Sequence, residues 1–310
     1  MTGKIYRHWY LLGLLIITIV SVPYFTGAQQ KPSVVADGAV VKKVQSGFIF
    51  TEGPAANGVG DVYFTDVQGS RIYKWAHKDG LISVYRENTE NSNGLMFDQK
   101  GRLVVCEGGG QRVVMDDMKG NITVLAETYK GKKLNSPNDL WVDPKGGVYF
   151  SDPRYGPKMD DVEEGSMQVY YISSDHKHLI RVTDDLIKSN GLIGTPDGET
   201  LYIADAGANK TWVYRILPDG TLADKKLFCE QGSDGVTRDE RGNLYLTGQT
   251  SISVYDSKGQ KLEEITFPET PSNMTFAGKD RKTLFVTART SVYTLDMAVR
   301  GAPTPLDQGQ

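Results

Sequence analysis

Cysteine and histidine are scarce in this chain: 310 residues hold two cysteines, Cys106 and Cys229, and four histidines. Two cysteines permit at most one disulfide bridge. No Gly-x-Ser-x-Gly string occurs, so the strained turn that presents a catalytic serine in α/β-hydrolases is missing. There is no block of basic residues and the net charge is only −3, which removes the electrostatic basis for nucleic-acid binding. No amphipathic stretch exceeds two helical turns, so helices do not build the core.

One strongly apolar run is present, and it lies at the start. Lys4, Arg7 and His8 precede residues 9–20, the apolar character continues to Phe25, and the small residues Thr26-Gly27-Ala28 follow. That is the layout of an export signal, residues 1–28, with cleavage after Ala28. The run is short for a comfortable membrane span, which favours cleavage over an uncleaved anchor, the alternative reading. Cleavage removes Lys4 and Arg7 and leaves a mature charge of −5. The expected product is a mildly acidic periplasmic or extracellular protein with no stable membrane association. Residues 29–40 read as a linker and residues 299–310 as a tail.

Between them, one short pattern occurs six times. Its strands are Val62-Tyr63-Phe64-Thr65-Asp66, Leu103-Val104-Val105-Cys106-Glu107, Val148-Tyr149-Phe150-Ser151-Asp152, Leu201-Tyr202-Ile203-Ala204-Asp205, Leu244-Tyr245-Leu246-Thr247-Gly248 and Leu284-Phe285-Val286-Thr287-Ala288. From Tyr63 the steps are 41, 45, 53, 43 and 40 residues. An all-β repeat of that length is the signature of a β-propeller with one blade per repeat, so the sequence predicts a six-bladed β-propeller over residues 41–298. After each repeat strand, a turn leads to a second apolar strand: residues 72–75, 112–115, 169–172, 212–216, 252–255 and 292–295. A strand near residues 40–44 is expected to pair with the last blade and close the ring, since an open ring leaves edges exposed. Cys106 and Cys229 then lie two blades apart, beyond bridging distance, and are expected as buried free thiols. The longest step contains residues 152–167, an insertion that projects from one face as a lid or as a solvated loop.

Eleven or twelve residues before each repeat position stands one carboxylate or amide: Glu52, Asn93, Asn138, Asn190, Asp234 and Asn273. Each opens an innermost strand, and innermost strands line the propeller axis, so six oxygen-bearing side chains converge there. Asn-Gly and Asp-Gly pairs are turn formers, which accounts for any one of these sites but poorly for six in register. Glu52 and Asp234, expected to face each other across the ring, would repel unless one held a proton or a cation neutralised both. All six donors are hard oxygens, a set that favours Ca²⁺ over Zn²⁺ or copper and, with room for water, over Mg²⁺; other divalent cations stay open. His77, His176 and His178 open no innermost strand, so a histidine base is set aside. Ser136, Ser189, Ser233 and Ser272 each precede an axial residue and are expected to fix the turns or to hydrogen-bond the carboxylates.

The strings Thr51-Glu52-Gly53-Pro54, Leu134-Asn135-Ser136-Pro137-Asn138-Asp139-Leu140, Phe150-Ser151-Asp152-Pro153-Arg154-Tyr155-Gly156 and Ser189-Asn190-Gly191-Leu192 resemble the senescence marker protein/gluconolactonase/luciferin-regenerating-enzyme-like family of six-bladed calcium propellers. Residues 271–288 are similar to that family's last blade, and Cys106-Glu107-Gly108-Gly109 resembles bacterial members. The likeness spans residues 40–297. It implies that Glu52, Asn138, Asn190 and Asp234 hold a catalytic calcium and that Asp234 is the candidate base, with Glu52 as the other candidate. Asn93 and Asn273 are expected behind the ligands or against substrate, and Arg154 and Tyr155 against substrate. Animal sugar-lactonase members carry Arg where this chain has Ser136, so the chain departs there from the sugar-lactone pattern.

The expected activity is calcium-dependent hydrolysis of a small-molecule lactone, with the cation as Lewis acid for the carbonyl. Two other readings stand beside it. One is a non-catalytic propeller whose axial calcium is structural. The other keeps the site but changes the chemistry, to another ester, a phosphotriester or a sugar derivative.

Overall fold

A computed structural model of the chain describes residues 1–5, 33–155 and 165–308. The six repeats form six four-stranded antiparallel sheets, the blades of a β-propeller. The innermost strands are Thr51–Ala56, Ser92–Phe97, Leu140–Val142, Ser189–Gly194, Val236–Arg238 and Asn273–Ala277. The repeat pattern forms the second strand of every blade, and the strands expected after it appear as the third. The sixth blade takes its outer strand from the other end of the chain. Lys42–Ser46 pairs antiparallel with Ser291–Asp296, Lys42 opposite Thr294, and so closes the ring.

The repeat pattern is aromatic because each blade packs its face into the next. Tyr63 meets Phe97 of the second blade at 5.3 Å between ring centroids, Phe64 meets Phe285 of the sixth at 5.5 Å, and Tyr245 meets Phe276 at 5.4 Å edge-on. All five residues of Val62–Asp66 and of Leu103–Glu107 are buried, so these strands have no solvent face. Burying each large apolar side chain contributes roughly 1.5–3 kcal/mol, and the interblade layers sum such terms around the ring. The outer strands, such as Ile82–Glu87, are largely exposed.

Both ends of the chain are more firmly built in than the sequence suggested. Val34, expected in a linker, is buried in the sixth-blade core, and Val35 bridges to Met297. Val299 is buried in the same core, Ala302 donates its N–H to the Arg238 carbonyl, and Arg281 pairs with Asp307. Residues 299–308, expected as a tail, thus run across the far ends of the inner strands, away from the axial residues. The apolar cores simply extend past the last repeat. Cys106 and Cys229 are buried and free. Residues 6–28 of the proposed export signal and residues 156–164 of the insertion lie outside the described residues.

Candidate active site and cation centre

The acidic residue ending the repeat strand has a structural task. Asp66 accepts hydrogen bonds from the N–H groups of Ile49 and Phe50, Asp152 from Asn135 and Ser136, and Asp205 from Ile187 and Lys188. Each clamps the segment leading into the axial residue two or three positions on. In the fifth and sixth blades, whose motif strands end in Gly248 and Ala288, a threonine grips instead: Thr247 Oγ1 accepts from the N–H groups of Asp234 and Gly235, and Thr287 Oγ1 from that of Asn273. The serines before the axial residues donate to backbone carbonyls, Ser136 to Gly108, Ser189 to Gln168 and Ser272 to Thr51. They fix the turns. The second blade differs, because Glu107 instead binds Arg86 and Arg112 in a buried ion-pair cluster.

The glycines after the axial residues form a collar. A Cβ on Gly53 would lie 2.0 Å from the Asn93 carbonyl oxygen, on Gly94 2.6 Å from that of Asn138, on Gly191 2.4 Å from that of Asp234, and on Gly235 2.3 Å from the Asn273 side chain. Each glycine lets its blade's backbone touch the next axial residue. Turn formation is thus the lesser reason for glycine here. The inner strands also bulge between Glu52 and Ala55, Ser92 and Leu95, and Ser189 and Leu192. Such bulges re-aim the side chains within them.

Above the collar is a cavity of about 470 Å³ whose described wall includes Glu52, Asn93, Asn138, Asp234, Arg154 and Tyr155. Six of the predicted site residues therefore share one wall. Asn190 lies just behind it, its amide nitrogen donating to Asp234 Oδ1 and to the Tyr155 hydroxyl, both at 2.7 Å. Asn273 takes the first of its two expected places, behind the carboxylates rather than against substrate. It does not line this cavity; it hydrogen-bonds Glu52 and Asp139 from beneath, and its own Oδ1 accepts the Met274 N–H. Its role is to hold carboxylates.

Glu52 and Asp234 are close, as foreseen, but they are not diametrically opposed: only the sixth blade separates theirs. A third carboxylate joins them. Asp139 is buried in the channel below, and the sequence reading passed over it because Asn138 carried the repeat register. The signal was available, since Asp139 stands where four other repeats have glycine. Arg289 was also missed. It occupies a tight turn at φ 48°, lies 5.3 Å over the Phe50 ring, lines the cavity and acts electrostatically on Asp234.

The three carboxylates cannot all carry free charge in this space. Burial, with the charge of Asp234 adding to it, pushes Glu52 well above the usual carboxylate range. Burial likewise raises Asp234, opposed by hydrogen bonds from Asn190 and Glu52. Asp139 is pushed up to about 7, mainly by burial. The side-chain oxygens of Asn93 and Asn190 are buried and have no hydrogen-bond partner. Buried polar atoms are normally satisfied, so acceptor oxygens left over beside crowded carboxylates fit a hard cation. The cavity's described wall carries no histidine.

The sequence model of the SMP-30/gluconolactonase/LRE-like region matches residues 50–290. The chain belongs to this family. A gluconolactonase from Zymomonas mobilis is 27% identical over 284 residues, covering 81% of this chain and 80% of the relative. A solved gluconolactonase from Xanthomonas campestris superposes with a TM-score of 0.79 at 31% identity, over 86% of this chain and 91% of that one. The calcium-binding protein regucalcin from Agrobacterium tumefaciens superposes at 0.75 over 86% of this chain and 97% of that one; at 18% identity it speaks for the fold alone. The aspartate clamp, the glycine collar and the axial carboxylates all fall inside the segment that matches the family.

Proposed function

We propose that the protein is an exported, calcium-dependent lactone hydrolase. The observation that carries this is the meeting of Glu52 and Asp234 on the wall of an open cavity, with Asp139 buried below them and the unpartnered oxygens of Asn93 and Asn190 beside them. The Zymomonas and Xanthomonas gluconolactonases support the choice of a lactone. Glu52, Asn138, Asn190 and Asp234 would hold the cation. Bound calcium neutralises carboxylates and supplies a Lewis acid for an ester carbonyl.

The chain's own residues do the rest. Asp234 borders the cavity and accepts a proton from the water that attacks the acyl carbon. As the ring C–O bond breaks, the same proton passes to the departing alkoxide. Asn190 orients Asp234 through its 2.7 Å hydrogen bond, and Arg289 keeps Asp234 more acidic than burial alone would leave it. A lactone is a reactive ester, so a base weakened by a neighbouring cation suffices. Arg154 and Tyr155 stand on the wall opposite Arg289 along the chain's ring order and bound the substrate.

A closed structural cation is the weaker reading, because Glu52 and Asp234 border open space. The test is a panel of aldonolactones, aliphatic lactones, aryl esters and phosphotriesters, each with and without EDTA. The proposal expects lactone turnover that EDTA abolishes and calcium restores. Export is tested by sequencing the N-terminus of the secreted protein, which should begin after Ala28.

A further inference from the structure

The fifth blade departs from the repeat. Its motif strand ends in Gly248, where the first four blades have Asp66, Glu107, Asp152 and Asp205. With no carboxylate there, the lead-in is held from the other side: Gln231 donates to the Thr247 carbonyl, and the Tyr255 hydroxyl donates to Gln231. The turn that follows is only Gly248-Gln249-Thr250, between Leu244–Thr247 and Ser251–Tyr255.

A second cavity, of about 520 Å³, forms a notch beside the fifth-blade turn. Asp234 contributes to its wall as well as to the axial cavity, so the two adjoin at the proposed base. The lining is rich in neutral hydrogen-bonding side chains, among them Asn209, Gln231, Gln249, Thr250 and Thr270. Its only purely aliphatic side chains are Ala206 and Pro271. The charges Lys261 and Glu264 are paired with each other at 2.8 Å. Such side chains exchange hydrogen bonds with hydroxyl groups. Its volume matches that of the axial cavity and lies within the range of small-molecule sites.

We infer that the notch over the fifth blade is a second carbohydrate subsite, which takes a sugar unit attached to the lactone ring held at the axis. The preferred substrate class is then a glycosylated aldonolactone. This rests on the lactone-hydrolase reading for its catalytic consequence, but the subsite can be tested without it.

The probes are lactobiono-1,5-lactone, a galactosyl gluconolactone, and plain glucono-1,5-lactone, assayed with the calcium-loaded protein. The wild type should favour the disaccharide in kcat/KM by about tenfold, the scale expected when a few hydrogen bonds are added. Gln249→Trp and, separately, Thr250→Trp fill the notch from its exposed rim, and each should bring that ratio down about tenfold, as one lost set of contacts does. Equal kcat/KM for the two lactones in the wild type, or a ratio unmoved by both substitutions, overturns the subsite. If neither lactone is hydrolysed, the lactonase reading fails and calorimetry decides the subsite. Tighter binding of lactobionate than gluconate, removed by Gln249→Trp, upholds it; equal binding of the two acids overturns it.

Discussion

Asp139 and Glu52 show how the axial residues differ from ordinary acids. Both are buried, and both have their proton affinity raised, Asp139 to about 7. A carboxyl with a raised native value holds its proton where the unfolded chain has lost it. In the metal-free protein the contribution of Asp139 to stability therefore falls as pH rises from about 4, the unfolded value, through about 7, and that of Glu52 changes in the same direction. Calcium held by Glu52 must displace the proton that burial retains there, so its apparent affinity rises with pH, by about tenfold per pH unit for each proton released. Thermal unfolding with EDTA and with calcium should show a gap in Tm that widens between pH 5 and pH 8; a constant or narrowing gap would contradict the account. At the same scale, Asp234→Asn should lower kcat by about a thousandfold or more while the fold persists, as removal of a proton-transfer group does. Glu52→Gln should weaken calcium binding as well as turnover. Retention of both calcium and turnover in the two variants would reassign the site. The sequence made Glu52 and Asp234 visible because they break the Asn pattern. Asp139 and Arg289 stayed hidden because neither sits in the axial register; the fold brings one up from below and the other in from a turn.

Among the elements, the inner strand and its lead-in decide where oxygen atoms point. Asp152 grips Asn135 and Ser136 two residues before Asn138. Asp152→Ala leaves two buried amides without acceptors, a loss of about 1–3 kcal/mol for each. It should reduce calcium affinity, measured by titration of the purified variant, more than the conservative Asp152→Asn does. The collar is stricter. In Gly191→Ala the new methyl meets the Asp234 carbonyl oxygen at 2.4 Å, and both atoms belong to packed backbone. Neighbouring blades must part, so denaturant unfolding should show a loss of about 1–3 kcal/mol, the usual scale of overpacking, together with weaker calcium binding. The turn chemistry of Asn-Gly pairs was legible in the sequence; the need for glycine was not, because it arises from contact with a blade some forty residues away.

Closure governs the whole molecule. The six-blade count, the strand order and the pairing of the first strand with the last blade all follow from periodicity, since a ring of identical layers has one way to satisfy its edges. The chain ends were misjudged because their residues fall outside the repeat and pack by local apolar contact, Val34 and Val299 among them. The ring also explains why the site draws on all six blades: the first five each bring at least one oxygen-bearing group toward a common axis, the sixth brings Arg289 and Asn273, and no single segment carries the site.

The most direct measurement is lactone hydrolysis followed through calcium removal and return. The purified protein, exhaustively treated with EDTA, should lose aldonolactone turnover by at least about a hundredfold, the scale of losing an electrostatic stabiliser of the oxyanion. It should regain turnover on adding calcium, saturably, and fail to do so in Asp234→Asn. Full turnover after complete chelation would contradict the axial cation mechanism.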